Sequence, residues 1–237
     1  MQADCDLIDI HCHKPHSKGA LQIVSLDTHQ IGYPICAWAT MPPPFPATLN
    51  SSGYFSLGLH PWFLQSQDLA AALQILEAYC EHPKLLAIGE CGLDKCIATP
   101  LALQSEVFQH QIELAERWRK PLIIHCVKTF DELIRIKGSV ASSQAWILHG
   151  YNRHPQLAQQ LLKQGCYLSM GKALLQTDSK AALTLKTLPL DRLFLETDDA
   201  KELPISAIYA AAAKITGLTV DALRQRISSN FNNVFLR

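Results

Sequence analysis

The chain lacks net charge: 21 Lys and Arg are balanced by 21 Asp and Glu. A neutral chain has no global basic field to hold nucleic acid, so any such contact has to be local. No apolar run reaches the roughly 18 residues of a membrane helix, so no membrane partner is expected. No N-terminal stretch shows the charged, apolar, small-residue order of a signal peptide. Without an export signal, the eight cysteines are expected in a reducing cytoplasm, as small buried hydrophobes rather than disulfides. Low-complexity tracts, long linkers and repeated wording are also missing. One domain over residues 1–237 is therefore expected.

What is present is a rhythm of strand, polar turn and helix. Strand-like runs fall at 6–11, 21–26, 54–59, 85–90, 121–125, 145–149, 166–170 and 193–197. Helical patterns occupy 67–80, 102–119, 155–164, 179–188, 205–215 and 219–230. The first should bury Leu69, Leu73, Leu76 and Tyr79, and the second Leu103, Val107, Ile112 and Leu114. Asp68 and Thr219 read as N-cap residues. Alternating strands and helices imply a parallel sheet with right-handed crossovers. Eight of them at this length fit an α/β fold of (β/α)8 TIM-barrel type, whose typical size is about 250 residues. Residues 27–53 break the rhythm. They hold a strand-like ICAWAT (35–40) and then MPPPFP, which cannot continue a sheet interior or a helix.

Six residues sit at or just past the ends of apolar runs: His11 and His13 after DLIDI, Glu90 in LLAIGE, His125 in PLIIH, His149 in WILH and Asp198 in LFLETD. Barrel active sites are built at the C-terminal ends of the strands, so these side chains should converge. His11 and His13 are spaced i, i+2 and point to one face of an extended chain. Each residue alone has a structural explanation: a packed histidine, or a carboxylate paired with lysine. Six at one end of one fold point instead to metal ligation. Histidine and carboxylate suit zinc, manganese, iron or magnesium. Six ligands exceed what one ion needs, and two ions sharing Glu90 fit better. Asp9 and Glu196 share the inward parity of the ligands and are expected to orient ligand imidazoles. Cys12, Cys91 and Cys126 adjoin ligands but alternate away from them, so they read as packing.

The segments IDIHCH, GLHPW, AIGECGLD, PLIIHC, ILHGY and LFLETDD, in this order, resemble the TatD-like metal-dependent deoxyribonucleases of the amidohydrolase superfamily. The terminal AAKITGLTVDALRQRISSNFNNVF extends the resemblance over nearly the whole chain. The resemblance implies a (β/α)8 barrel. It also implies two divalent ions, magnesium first and zinc or manganese next. His11, His13, Glu90 and Asp198 would hold one ion, and Glu90, His125 and His149 the other. It implies hydrolysis of phosphodiester bonds in DNA, as in 3′-to-5′ exonucleases, by a metal-activated water with Asp198 as proton acceptor.

His60, Lys128 and His154 are candidate substrate contacts. Lys128 stands where the family often has an arginine in Ser-Arg-Asp, and it offers a point charge in place of a fork. Asp94 and Lys95 either line the mouth of the site or pair locally. After Asp198 the family's Ala-Pro-Tyr stretch is replaced by Asp-Ala-Lys-Glu-Leu-Pro. That departure makes a shorter phosphodiester or another ester more plausible. The alternative within enzymes is a hydrolase of the same barrel acting on a small phosphate ester, amide or lactone, and the complete ligand set argues against a non-enzymatic scaffold. The sequence leaves the oligomeric state open, a monomer included.

Overall fold

A computed structural model describes residues 7–14, 19–31 and 53–236. Eight strands form a sheet in chain order: β1 (Leu7–Cys12), β2 (Ala20–Asp27), β3 (Tyr54–Gly58), β4 (Leu85–Asp94), β5 (Leu122–Val127), β6 (Trp146–Leu148), β7 (Tyr167–Met170) and β8 (Leu193–Leu195). The recorded strand pairs are parallel. This is the strand order of the expected α/β, (β/α)8 TIM barrel. The helices are α1 (Leu69–Tyr79), α2 (Leu101–Trp118), α3 (Phe130–Ser139), α4 (Pro155–Lys163), α5 (Lys180–Leu185), α6 (Ile205–Thr216) and α7 (Val220–Phe235). Among the described residues, no helix is long and apolar enough to cross a membrane.

Contacts divide the chain into two compact units, one of Met1–Val24 with Ala145–Arg237 and one of Ser25–Gln144. In the first unit, β7 lies against β6 and β8. A bridge joins Cys12 to Asp198. The Tyr209 hydroxyl, on α6, accepts from the Ile8 amide and donates to the Ile8 carbonyl, both at 3.1 Å. One buried phenol thus satisfies both backbone polar groups of Ile8, which would otherwise be costly to bury. Asn230 on α7 donates to the Leu190 and Leu193 carbonyls where β8 begins.

In the second unit, β4 pairs with β3 and β5, and all ten of its residues are buried. Two α2 glutamines, Gln104 and Gln111, are buried here and clamp strand ends. Gln111 bonds both the amide and the carbonyl of Leu59, just past β3. Gln104 bonds both the amide and the carbonyl of Asp94, and also the Thr99 carbonyl.

The structure departs from the sequence reading in several places. β4 runs on to Asp94 and β5 to Val127, so Glu90 and His125 lie inside strands rather than at their ends. In α1 the buried face is Ala71, Ala72, Ile75, Leu76 and Tyr79, while Leu69 and Leu73 are half-buried. Leu103 of α2 is likewise half-buried. Helix α3 stood in no named helical segment, although Phe130, Leu133 and Ile134 carry helical spacing; it buries Leu133 and Ile136. Asp68 and Thr219 cap α1 and α7 as expected, accepting from Ala71 and Ala222. The ICAWAT run and MPPPFP lie outside the described residues.

Candidate metal centre

In the first unit, His11 is fully buried on β1 and His13 follows it. Their rings lie 5.1 Å apart, edge to face. Both Nε2 atoms approach one oxygen of Asp198, at 3.5 Å from His11 and 3.4 Å from His13. Backbone bonds set that meeting. The Asp198 amide donates to the His11 carbonyl at 2.9 Å, and the His13 amide donates to the Asp198 carbonyl at 3.2 Å. Asp198 has φ of 54°, the left-handed region that aspartate tolerates better than most residues. Such conformations persist where surrounding bonds fix them, often at functional sites. Burial pushes the Asp198 carboxyl up. Hydrogen bonds from His11 and His13 and the charges of His11 and His149 outweigh it and hold the group well below the usual range.

Asp9 supports this arrangement from beneath. It is fully buried. It accepts from the Thr197 amide at 3.0 Å and the Thr197 hydroxyl at 2.7 Å, and from Gln22 at 3.2 Å. Its hold on the cluster runs through the His11 amide, at 3.4 Å, and through the residue before Asp198. Burial raises its pKa, against those bonds. Glu196, also fully buried, accepts from the Gly150 amide and sits 3.7 Å from His149 Nδ1. The His149 ring lies 4.3 Å from that of His11. Donor atoms of His11, His13 and Asp198 lie within 4.8 Å of one another, as do those of His149, Glu196 and Asp198. Two imidazoles and an ionised carboxylate at this spacing fit a divalent cation.

The second unit builds a cluster on β4 and β5. Gly89 and Gly92 flank Glu90. A Cβ on Gly92 would meet the His125 carbonyl at 2.2 Å, so only glycine lets β4 lie this close to β5. Glu90 Oε1 lies 2.9 Å from His125 Nδ1 and 3.0 Å from His60 Nε2. The donors of His60, Glu90 and His125 also fall within 4.8 Å.

His60 stood as a substrate contact, but it is buried and faces Glu90. Its Nδ1 accepts from the Trp62 amide at 3.2 Å. A neutral ring that accepts at Nδ1 carries its proton on Nε2 and donates it to Glu90. His60 therefore orients the carboxylate. His125 Nε2 lies 3.1 Å from Asp94 Oδ2, which also accepts from the Trp62 indole at 2.8 Å. Burial pushes Asp94 up, but its bonds from Trp62, the Cys96 amide and His125 hold it below the usual range. Carboxylate, imidazole and metal in line is a common way to fix a ligand histidine. Asp94 shares the parity of Glu90 on β4. In the sequence Asp94 stood as lining the mouth or pairing with Lys95; its pairing with His125 was not read, because the strand was taken to stop at Glu90.

Lys128 is exposed just past β5, with φ of 55°. His154 is exposed and begins α4 as its N-cap without a side-chain bond. Neither has a described side-chain bond to either cluster. A cation not anticipated is Lys172, which pairs with Asp199 at 2.6 Å beside Asp198. Cys12 and Cys91 are buried, and burial pushes both thiols up. Their sulfurs lie 3.7 and 3.6 Å from the Ile23 and Ile123 carbonyls, in keeping with packing.

Comparison with known proteins agrees with this chemistry. Residues 8–236 match the family described as TatD related DNase. A human relative, 3'-5' RNA nuclease TATDN2, is 34% identical over 63% of this chain, a match that spans 20% of the human protein. An uncharacterized metal-dependent hydrolase of Bacillus subtilis, YabD, is 32% identical over 61% of this chain and 58% of its own length. The chain thus spans less than two thirds of these two relatives. The YjjV crystal structure from Escherichia coli superposes with a TM-score of 0.81 at 22% identity, over 98% of this chain and 99% of that one. That likeness shows the fold. The match over nearly all of the sequence shows that the chain belongs to the TatD related DNase family of metal-dependent hydrolases.

Proposed function

We propose that this protein is a divalent-metal-dependent phosphodiesterase acting on nucleic acid, as a 3′-to-5′ deoxyribonuclease. The observation that carries the reading is the convergence of His11 and His13 on one oxygen of Asp198. Relatives named as nucleases supply the substrate class, among them a 3'-5' ssDNA/RNA exonuclease TatD from Cronobacter turicensis. The family resemblance joins the clusters into a two-ion centre. By that resemblance His11, His13, Glu90 and Asp198 would hold one ion, and Glu90, His125 and His149 the other. Magnesium is the expected ion, with manganese or zinc able to replace it.

Bound divalent ions acidify water and neutralise charge on phosphate oxygens. The residues do the rest. Asp198, ionised and held by backbone bonds to β1, accepts the proton of the attacking water. His60 and Asp94 keep Glu90 and His125 in place, so little reorganisation is needed during reaction. Lys128 and Lys172 offer exposed positive charge, and His154 a further polar contact, for the strand. The test is hydrolysis of a labelled single-stranded oligonucleotide and of bis-p-nitrophenyl phosphate with magnesium, manganese or zinc. Stepwise shortening that Asp198→Asn abolishes is the expected result. Cleavage of the small ester alone would move the substrate away from DNA. Cleavage of neither would overturn the reading.

A further inference from the structure

Trp62 is the most exposed large apolar side chain among the described residues, at 57%. A single exposed apolar ring is ordinary in itself; what sets Trp62 apart is its place against His60 and His125. Trp62 lies in the short 3-10 helix Pro61–Ser66, whose N-cap is His60. Its indole is fixed in place. The Nε1–H donates to Asp94 Oδ2, the oxygen that also meets His125. The ring centroid lies 5.3 Å from that of His60 and 6.1 Å from that of His125, edge-on to both. Indole has one hydrogen-bond donor and no acceptor. With that donor used, the group has only its apolar faces left to offer. A fixed aromatic face beside a phosphodiester-cleaving centre is what a nucleobase stacks on, and stacking of this kind tolerates any base.

We infer that Trp62 is a stacking platform for a nucleobase next to the cleaved phosphodiester. This rests on the nuclease reading above. It adds a specificity determinant: the enzyme reads a base as well as a backbone, without reading which base. Asp94 serves both sides, holding the indole through one oxygen while that oxygen faces His125. Anchoring Asp94 is the competing role for the indole N–H, and phenylalanine separates the two. Phenylalanine keeps an aromatic face and loses the N–H, whereas alanine loses both.

The magnesium-loaded enzyme, Trp62→Phe and Trp62→Ala are compared on oligothymidylate and on an abasic deoxyribose-phosphate strand of equal length. Initial rates are measured, and strand affinity is measured separately by competition. The wild type should bind oligothymidylate about tenfold more tightly than the abasic strand. Trp62→Phe should keep most of that preference and Trp62→Ala should erase it, with the loss in KM rather than kcat. An unchanged preference in Trp62→Ala would overturn the inference. So would Trp62→Phe behaving as Trp62→Ala, which would leave the indole as an anchor for Asp94. If the wild type cuts both strands equally, stacking fails while the nuclease reading stands. If it cuts neither, the underlying reading fails as well.

Discussion

At the scale of single residues, backbone bonds bring two imidazoles onto one carboxylate. Asp198 meets His11 and His13 because its peptide is bonded to β1 on both sides of Cys12. Asp198→Asn keeps that backbone and removes the proposed proton acceptor. It should fold normally and lose roughly 10²- to 10⁴-fold in kcat. Wild-type turnover in a steady-state assay would remove Asp198 from the chemistry. His60 is a positioning residue for Glu90. His60→Leu should weaken the binding of divalent metal by about 10- to 100-fold, read by calorimetry. His60→Gln, which keeps a side-chain donor, should restore most of it. Equal affinities for the two variants would show that the bond to Glu90 has no effect on metal. The sequence made the ligands legible because imidazoles and carboxylates are out of place in apolar runs. Their partners were legible in part: Asp9 and Glu196 share the inward parity of the ligands, and so does Asp94, whose bonds to His125 and Trp62 depend on β4 running past Glu90. The clamps of Gln104 and Gln111 on strand ends are long-range contacts that no local pattern encodes.

Among the elements, β4 sets the geometry. Gly92 has φ of 128°, and an added Cβ would strike the His125 carbonyl at 2.2 Å. Gly92→Ala should cost roughly 3 kcal/mol or more by chemical denaturation. Gly138 on α3 has open space around it, and Gly138→Ala should be neutral or gain up to about 1 kcal/mol. An unchanged midpoint for Gly92→Ala would contradict the close packing of β4 on β5. Helix α2 is tied to the turn after α3 by Glu116, which accepts from Ser142, Ser143 and the Gln144 amide. Burial pushes Glu116 up, but those bonds win and its pKa is lowered. The stability they contribute is present above the ordinary glutamate value of about 4.3 and is lost as pH falls through the lowered folded value. Melting temperature should therefore fall more steeply in acid for the wild type than for Glu116→Gln. Parallel slopes would mean that Glu116 adds nothing to the acid response. Strand positions were legible because buried parallel strands read as continuous apolar runs. Helix α1 was harder: alanines on the buried face made its stripe look rotated toward the leucines.

At the scale of the whole molecule, neutrality leaves specificity to local chemistry. With no net charge, the attraction that the proposed function requires for a nucleic acid strand would have to come from local charge, from ions at the clusters and side chains such as Lys128 and Lys172. The barrel class was legible from the alternation of eight strands with helices, because that alternation dictates a parallel sheet. Residues 27–53 were not, since consecutive prolines exclude regular structure without saying what replaces it. The central claim is that the histidine and carboxylate clusters are a two-ion hydrolytic centre. The most direct test strips the protein with chelator and follows oligonucleotide cleavage as Mn²⁺ is added, with bound metal counted in parallel. The account predicts no cleavage without metal and full rate at two ions per chain, with His125→Ala stopping at one. Undiminished cleavage by the stripped protein, or full rate with the stoichiometry of His125→Ala unchanged, would contradict it.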